Sequence, residues 1–315
     1  MNRYAIIYNI CEIKRTNLDW YIKCLDNLLK TDYDFFDIIV SGCKVSQPTK
    51  DALLERYGDR IMFNFIDIRL TVNVTFNFTV LKVRELKGEY DGYVYIDSGV
   101  DIDQNYHFLK ELDVRYQTGN YEMVMCQTDT DTGYHHFGLH GYFYDHDFVV
   151  PVGKACNSHV ILYGKKLLDT YGKLIPDIFL AYCTESVFSF LVAAISSRWL
   201  IVKDMILTHE RSLDGASSGY DHTGERKAPW NNLYGGMDML SIINDPKARE
   251  VGLGYEECGN IMMHDGNLFT PKGFAKNPEL KTYIKNKLFL QEDQLNYSHI
   301  PFEFYYEDQL VNTHS

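Results

Sequence analysis

The first hundred residues alternate between apolar runs and segments with helical spacing, and this alternation limits the folds that the chain can adopt. β-branched and aromatic residues dominate four short runs, at residues 4–10, 35–40, 61–66 and 93–96. Between them, apolar residues recur at intervals of three and four, as one buried face of a helix requires. This alternation predicts an α/β protein with a doubly wound, mostly parallel sheet flanked by helices.

The three helical segments also carry recognisable ends. Helices are predicted over residues 17–30, 46–57 and 76–86. Ser46 is a candidate cap for the second helix, and Gly88 directly after Lys87 is a typical stop signal for the third. Only a short loop thus separates each predicted helix from the next strand.

Length, hydrophobic content and cysteine usage limit the class of protein to which this chain can belong. The chain has 315 residues, 45% of them hydrophobic, which is enough for a large buried core. No run approaches the roughly 18 apolar residues of a membrane span, and residues 1–10 lack the features of a signal peptide. We therefore expect a cytoplasmic protein. Its seven cysteines include no Cys-x-x-Cys pair, so we expect reduced, buried thiols rather than a disulfide framework or a zinc ribbon.

The net charge and the tyrosine content limit the ligands that we expect. A formal net charge of -12 argues against binding long nucleic acid through its phosphates, which relies on lysine and arginine. The 24 tyrosines show no spacing pattern, which favours a tyrosine-rich surface over a platform for sugars or bases.

Three carboxylates follow the apolar run at 93–96 at intervals of two to four residues, namely Asp97, Asp101 and Asp103. Ligands of open α/β sheets collect at the carboxyl ends of strands, so these acids lie where a ligand binds. Mg²⁺ and Mn²⁺ prefer carboxylate oxygens, and substrate phosphates often complete their coordination. The cluster predicts a metal site for a nucleotide diphosphate, although Asp, Ser and Gly are also common in plain turns.

Beyond Asp103 the alternation is less regular. Strands are predicted at 122–127, 157–162 and 199–207, and helices at 105–116, 165–171 and 184–196. The last predicted strand runs into Thr208, His209 and Glu210.

This order of elements carries a family resemblance. The residues Lys87-Gly88-Glu89-Tyr90 ahead of Tyr95-Ile96-Asp97-Ser98 are similar to the "GEY…DSDD" segment of family-2-like enzymes. With the acidic helix start near 185 and a histidine after the next strand, residues 1–212 resemble the GT-A fold of nucleotide-sugar glycosyltransferases. The resemblance implies a Rossmann-like catalytic domain with a C-terminal extension. It also implies metal-dependent transfer of a sugar from a nucleotide-diphosphate sugar to an acceptor hydroxyl.

The resemblance implies a metal site for Mn²⁺ or Mg²⁺. Asp97 matches the first acid of the Asp-x-Asp motif, but Gly99 stands at the third position. The second acidic ligand is therefore assigned to Asp101, with Asp103 in reserve, and His209 matches the C-terminal metal-ligating histidine. Because a strand-end acid contributes little to a core, we expect Asp101→Ala to remove metal-dependent turnover and leave the fold intact.

The candidate base is Glu185, which begins the apolar helix predicted at 184–196. In inverting GT-A enzymes the matching segment is an "ED" pair whose carboxylate removes the proton of the acceptor hydroxyl. Here Ser186 replaces the second acid. The alternative interpretation is that Glu185 only stabilises the start of its helix.

Nucleotide contacts are expected at the ends of the first three strands. Asn9 follows the first strand, Ser41 the second, and Asp67 and Arg69 the third. Each is equally well explained as loop polarity. Family members often hold the base with an acid after the second strand, and Ser41-Gly42 stands there instead, so the base remains open.

Two C-terminal regions complete the predicted organisation. Residues 213–236, rich in Gly, Ser and Asp, are predicted to form a mobile lid in which Trp230 or Tyr220 contacts the sugar or acceptor. Residues 237–315 are predicted to be an extension that shapes the acceptor site or a dimer contact. The acceptor class stays open between a glycan, a small molecule, a protein hydroxyl and a hydroxymethylated DNA base.

Two other functions remain as alternatives. A catalytically silent nucleotide- or carbohydrate-binding module on the same fold would account for Gly99 and Ser186. A nucleotidyltransferase would also use strand-end acids, but residues 8–11 contain no Gly-rich phosphate loop.

Overall fold

A computed structural model shows one mixed sheet with helices packed against it. It describes residues 2–12, 17–68, 70, 72–119, 121–129, 142–144, 147–150, 159–174, 198–210, 297 and 300–314. The sheet has twelve strands within these ranges. The predicted α/β class, with a mostly parallel sheet flanked by helices, is confirmed.

The first half of the chain supplies the parallel part of the sheet. Its elements are β1 (Tyr4–Cys11), α1 (Leu18–Leu28), β2 (Phe36–Cys43), α2 (Gln47–Tyr57), β3 (Met62–Ile66), α3 (Val72–Lys87), β4 (Gly92–Ile96), β5 (Val100–Asp101) and α4 (Phe108–Thr118). Strands β1 to β4 pair in parallel in the order β3-β2-β1-β4. The carboxyl ends of all four strands therefore lie along one edge of the sheet.

The second half extends the sheet on both sides. Its elements are β6 (Tyr121–Thr128), β7 (Tyr142–Tyr144), β8 (Asp147–Val150), β9 (Val160–Gly164), α5 (Lys165–Tyr171), β10 (Arg198–His209), β11 (Phe302–Tyr306) and β12 (Gln309–His314). The full order is β12-β11-β3-β2-β1-β4-β9-β6-β10-β8-β7, and β5 pairs with β10. β9 runs antiparallel between β4 and β6, and β11 runs antiparallel beside β3.

Several element boundaries differ from the sequence predictions. Helix α3 begins at Val72 rather than 76 and ends as predicted, with Gly88 in the left-handed region at φ 78°. Helix α4 begins at Phe108 rather than 105, because the preceding residues form a turn in which Gln104 has a φ of 59°. Within the predicted C-terminal extension, a two-residue turn with positive φ at Glu307 and Asp308 joins β11 to β12.

The core is unusually rich in buried tyrosine. Within the described residues, the largest fully buried side chains are seven tyrosines and four phenylalanines: Tyr4, Tyr8, Tyr21, Tyr57, Tyr90, Tyr93, Tyr163, Phe63, Phe65, Phe76 and Phe78. Several of the buried hydroxyls form hydrogen bonds, as when Tyr8 donates to the Ser98 carbonyl oxygen at 2.9 Å. The prediction of a tyrosine-rich surface is wrong for these seven, because their rings pack into the core. No helix in the described part of the chain has the length and apolar character needed to cross a membrane.

One buried acid lies at the edge of the sheet opposite to the carboxyl ends of β1 to β4. Glu122, near the start of β6, is 9% exposed, and no described residue donates a hydrogen bond to its Oε2 atom. Burial raises the pKa of Glu122 to about 7, with Lys166 lowering it and Asp169 raising it. The folded state therefore favours the protonated acid, and stability is lost as the pH rises from about 4.5 through about 7.

Glu122→Gln removes the carboxyl group whose ionisation destabilises the fold at high pH. We expect the variant to gain roughly 3 kcal/mol of unfolding free energy at pH 8 over the wild type, and close to nothing at pH 4. Urea unfolding at both pH values measures the difference. Glu55→Gln on the exposed face of α2 is the matched control. An equal change at both pH values would contradict the burial of a titrating carboxyl.

Candidate functional site

Three side chains meet at the carboxyl edge of the sheet. Asp97 follows β4, His159 precedes β9, and His209 ends β10. The Asp97 Oδ2 atom lies 3.6 Å from His159 Nδ1, and the imidazole centroids of His159 and His209 are 3.9 Å apart with planes inclined by 36°. These residues form a compact group of one carboxylate and two imidazoles.

Backbone pairing holds this group in place. The Asp97 amide donates to the His159 carbonyl oxygen at 3.0 Å. The short strand β5 turns back against β10, so that Val100 lies opposite His209. The Glu210 amide then donates to the Gly99 carbonyl oxygen at 2.9 Å. The sheet thus positions His209 beside the turn that carries Asp97.

The Asp97 carboxylate is ionised and accessible. It accepts hydrogen bonds from the Tyr95 hydroxyl at 3.2 Å and the Ser98 hydroxyl at 3.3 Å. Burial raises its pKa, but the interaction with His159, the charge of His209 and the Gly99 amide outweigh that effect and lower the pKa to about 2. Its side chain is 31% exposed, so an ionised oxygen is available to a ligand at neutral pH.

The donor set suits a metal ion that is shared with a substrate. Within the described ranges, no group of three or more His, Cys, Asp or Glu side chains is arranged to hold a metal ion. Mg²⁺ in enzymes commonly takes only one or two protein carboxylates and completes its coordination with phosphate oxygens and water. The chemistry of Asp97 and the neighbouring imidazoles fits a divalent cation held in this way.

The structure places Asp101 in a different role from the one predicted. Its side chain is fully buried, and its oxygens lie 3.0 Å from Lys23 Nζ and 2.8 Å from Asn27 Nδ2, both on α1. The Asp103 amide adds a third bond at 3.1 Å. These partners engage the carboxylate, so we remove Asp101 from the proposed metal ligands. Asp103 is exposed in the turn after β5, with no described contact to Asp97 or His209.

Asn9 lies next to the end of β4 and is 7% exposed. Its Nδ2 atom donates weakly to the Ile96 carbonyl oxygen at 3.4 Å, one residue before Asp97. No described residue donates a hydrogen bond to its Oδ1 atom. A buried acceptor without a partner is costly, so this oxygen is a natural contact for a ligand bound beside Asp97.

Ser41 does not face the site. It is fully buried, and its Oγ atom lies 2.6 Å from Thr79 Oγ1 on α3. Asn64 on β3 donates to the same Thr79 oxygen at 2.7 Å. Ser41 therefore joins β2, β3 and α3 inside the core, and we remove it from the predicted nucleotide contacts.

Asp67 remains accessible at the end of β3. Its side chain is 54% exposed, and Lys50 Nζ lies 2.8 Å from its Oδ1 atom. Arg69 and Glu185 lie outside the described residues, as do the predicted lid at 213–236 and most of the extension at 237–315. Their roles stay predictions.

His159 is the site residue that the sequence analysis missed. No motif marks it, because its place depends on β9 entering the sheet antiparallel between β4 and β6. The only local signal is its position at the start of an apolar strand.

No protein-family model matches this chain, and no curated protein does. Many solved structures are similar to it, among them three that are each 13% identical in sequence. One is the mannosyltransferase PcManGT from Pyrobaculum calidifontis in complex with GDP-Man and Mn²⁺, with a TM-score of 0.47 over 66% of this chain and 57% of that one. The others are S. aureus TarS 1-349, at 0.48 over 98% and 97%, and S. aureus TarS, at 0.49 over 79% and 46%. All three scores lie below 0.5, so the function is inferred below from the residues of this chain.

Because Asp101 is buried and bonded to α1, we expect its removal to lower the stability of the fold. Asp101→Ala leaves the Asn27 amide and the Lys23 ammonium without their buried acceptor, so we expect a loss of about 2 kcal/mol of unfolding free energy. Urea unfolding measures it. The control is Asp103→Ala, an exposed acid two residues further on, which we expect to change stability by less than about 0.5 kcal/mol. Equal stability of the two variants would contradict the anchoring role of Asp101.

Proposed function

We propose that this protein is a GT-A-type glycosyltransferase that moves a sugar from a nucleotide-diphosphate sugar to an acceptor hydroxyl with the help of Mn²⁺ or Mg²⁺. The observation that carries the proposal is the ionised Asp97 beside His159 and His209 at the carboxyl edge of a parallel sheet. This edge is where open α/β sheets bind their ligands. The sequence resemblance around Glu89, Tyr90 and Asp97 supports the same function.

Asp97 and His209 are the proposed metal ligands, and His159, which lies beside both, is the alternative imidazole. Asp97 supplies a carboxylate oxygen, and the backbone pairing of β5 with β10 presents His209 on the other side of the turn. A divalent cation bound there would neutralise the charge that develops on the leaving diphosphate. The backbone bond between the Asp97 amide and the His159 carbonyl oxygen orients both residues before substrate binds.

The remaining contacts divide between the two substrates. Asn9 Oδ1 would accept a hydrogen bond from the nucleotide, which supplies the partner that this buried oxygen lacks among the described residues. Asp67 and Arg69 would contact the base at the end of β3. Glu185 would accept the proton of the acceptor hydroxyl as general base. The acceptor classes remain a glycan, a small molecule, a protein hydroxyl or a hydroxymethylated DNA base.

A silent binding module is the second candidate, and one observation favours it. Gly99 replaces a family acid, and Asp101, the predicted substitute, is engaged by Lys23 and Asn27.

A nucleotidyltransferase with a phosphate loop after β1 is disfavoured. There the Glu12 carboxylate accepts hydrogen bonds from the Ser46 amide and the Thr49 hydroxyl, both at 2.8 Å. The chain directly after β1 thus carries an acid, which repels a phosphate, in place of the glycines of a phosphate loop.

Asp97→Asn tests the proposed function. The wild type should be stabilised by one nucleoside diphosphate in an Mn²⁺-dependent way, and it should turn over the matching nucleotide sugar. The variant should lose the Mn²⁺-dependent stabilisation and at least about a hundredfold in turnover, because it lacks the ionised oxygen that faces the cation. Thermal unfolding with UDP, GDP, CDP and CMP, with and without Mn²⁺, and a hydrolysis assay measure both.

The control for this experiment is Asp59→Asn, which changes an exposed acid in the loop between α2 and β3, away from the site turn. It should behave as the wild type in both assays. Nucleotide binding without any transfer or hydrolysis would favour the silent module. Full activity in Asp97→Asn would contradict the site assignment.

A further inference from the structure

A buried lysine joins two acids at the same edge of the sheet, several strands away from Asp97. Lys50, in the first turns of α2, has a side chain that is only 5% exposed. Its Nζ atom lies 2.8 Å from Asp67 Oδ1 and 2.9 Å from Glu303 Oε2. Asp67 follows β3 and Glu303 lies on β11, so one ammonium group connects a helix, a strand end and the C-terminal hairpin.

The charges at this place favour a fixed geometry. Burial lowers the pKa of Lys50, but the hydrogen bonds to Asp67 and Glu303 raise it overall, so the ammonium stays charged. An ammonium has three donors and no acceptor, and two of its donors are directed at the two acids. Without the ammonium the two carboxylates would face each other as like charges. Lys50 therefore holds the Asp67 carboxylate in one orientation.

The two oxygens of Asp67 differ in their surroundings. Oδ1 is bound to Lys50, whereas Oδ2 has no hydrogen-bond partner in the described part of the chain, and the side chain is 54% exposed. The strand order β3-β2-β1-β4 places Asp67 three strand spacings, roughly 14 Å, from Asp97 along the sheet edge. A nucleotide whose diphosphate lies beside Asp97 and which extends along this edge would bring its base to Asp67.

We propose that Lys50 is a positioning residue that presents the Asp67 carboxylate to the base of the donor nucleotide, with Glu303 of β11 holding the other side of Lys50. The inference rests on the proposed function, because it needs a nucleotide with its diphosphate beside Asp97. A fixed carboxylate accepts hydrogen bonds, so it selects a base with a ring N–H. Uracil and guanine have one on the edge concerned, whereas cytosine presents a ring nitrogen acceptor there. The site therefore takes uridine or guanosine diphosphate derivatives in preference to cytidine ones.

Isothermal titration of UDP, GDP and CDP in the presence of Mn²⁺ tests this inference. Lys50→Met should weaken binding of the preferred nucleotide about tenfold, the usual size of one charge-assisted hydrogen bond, and leave kcat at saturating donor close to the wild-type value. Lys50→Arg keeps the charge and should restore most of the affinity. Asp67→Asn should reduce the preference over CDP, since an amide can also donate to cytosine. The matched control is Lys82→Met, which removes a lysine with one acidic partner at 2.8 Å on α3.

A double-mutant cycle separates positioning from plain stabilisation. If Lys50 acts through Asp67, the losses in nucleotide affinity of Lys50→Met and Asp67→Asn are not additive in the double variant. If Lys50 only attaches β11 to the sheet, the variants unfold at lower temperature and bind nucleotide as the wild type does, and the inference is overturned. Where Lys50→Met proves too unstable, Glu303→Gln should give a smaller loss of affinity in the same direction, and unchanged affinity overturns the inference.

The experiment also distinguishes this inference from the proposed function. A wild-type protein that binds none of the three nucleotides overturns both. Binding that depends on Asp97 but is indifferent to Lys50, Asp67 and the identity of the base overturns the inference alone.

Discussion

The buried Asp101 carboxylate, paired with the half-exposed Lys23, anchors the turn on which the candidate site is built. Asp101 lies in β5, only a few residues after Asp97, and its bonds to Lys23 and Asn27 tie that strand to α1. With β5 held there, β10 can pair with it and place His209 beside the turn. A buried carboxylate with several partners holds its surroundings in one geometry, which a site for a cation and a diphosphate needs.

The parallel half of the fold could be predicted because its signals are local. Each strand from β1 to β4 is a short apolar run, and Gly88 marks the end of α3. The insertion of β9 between β4 and β6 and the pairing of β11 with β3 could not be predicted, because they depend on contacts between residues far apart in sequence. For the same reason His159 was missed.

The candidate site shows a similar limit. The three acids after β4 were recognised as a group, but spacing alone could not tell which of them faces a ligand. A two-residue strand separates Asp97 from Asp103, and within it Asp101 is directed at α1 while Asp97 stays 31% exposed. The same limit holds for Ser41: its strand-end position predicts a place in the site, whereas its side chain bonds to Thr79 in the core.

The central claim is that Asp97, with at least one of the imidazoles of His159 and His209, binds a divalent cation together with a nucleoside diphosphate. A crystal structure with Mn²⁺ and the nucleotide that stabilises the protein most, with the ion located by its anomalous scattering, tests it directly. The account predicts one Mn²⁺ in direct contact with an Asp97 oxygen, at least one of the two imidazoles and the diphosphate. An ion bound at Asp101 or Asp103 instead, or a nucleotide bound away from Asp97, would contradict it.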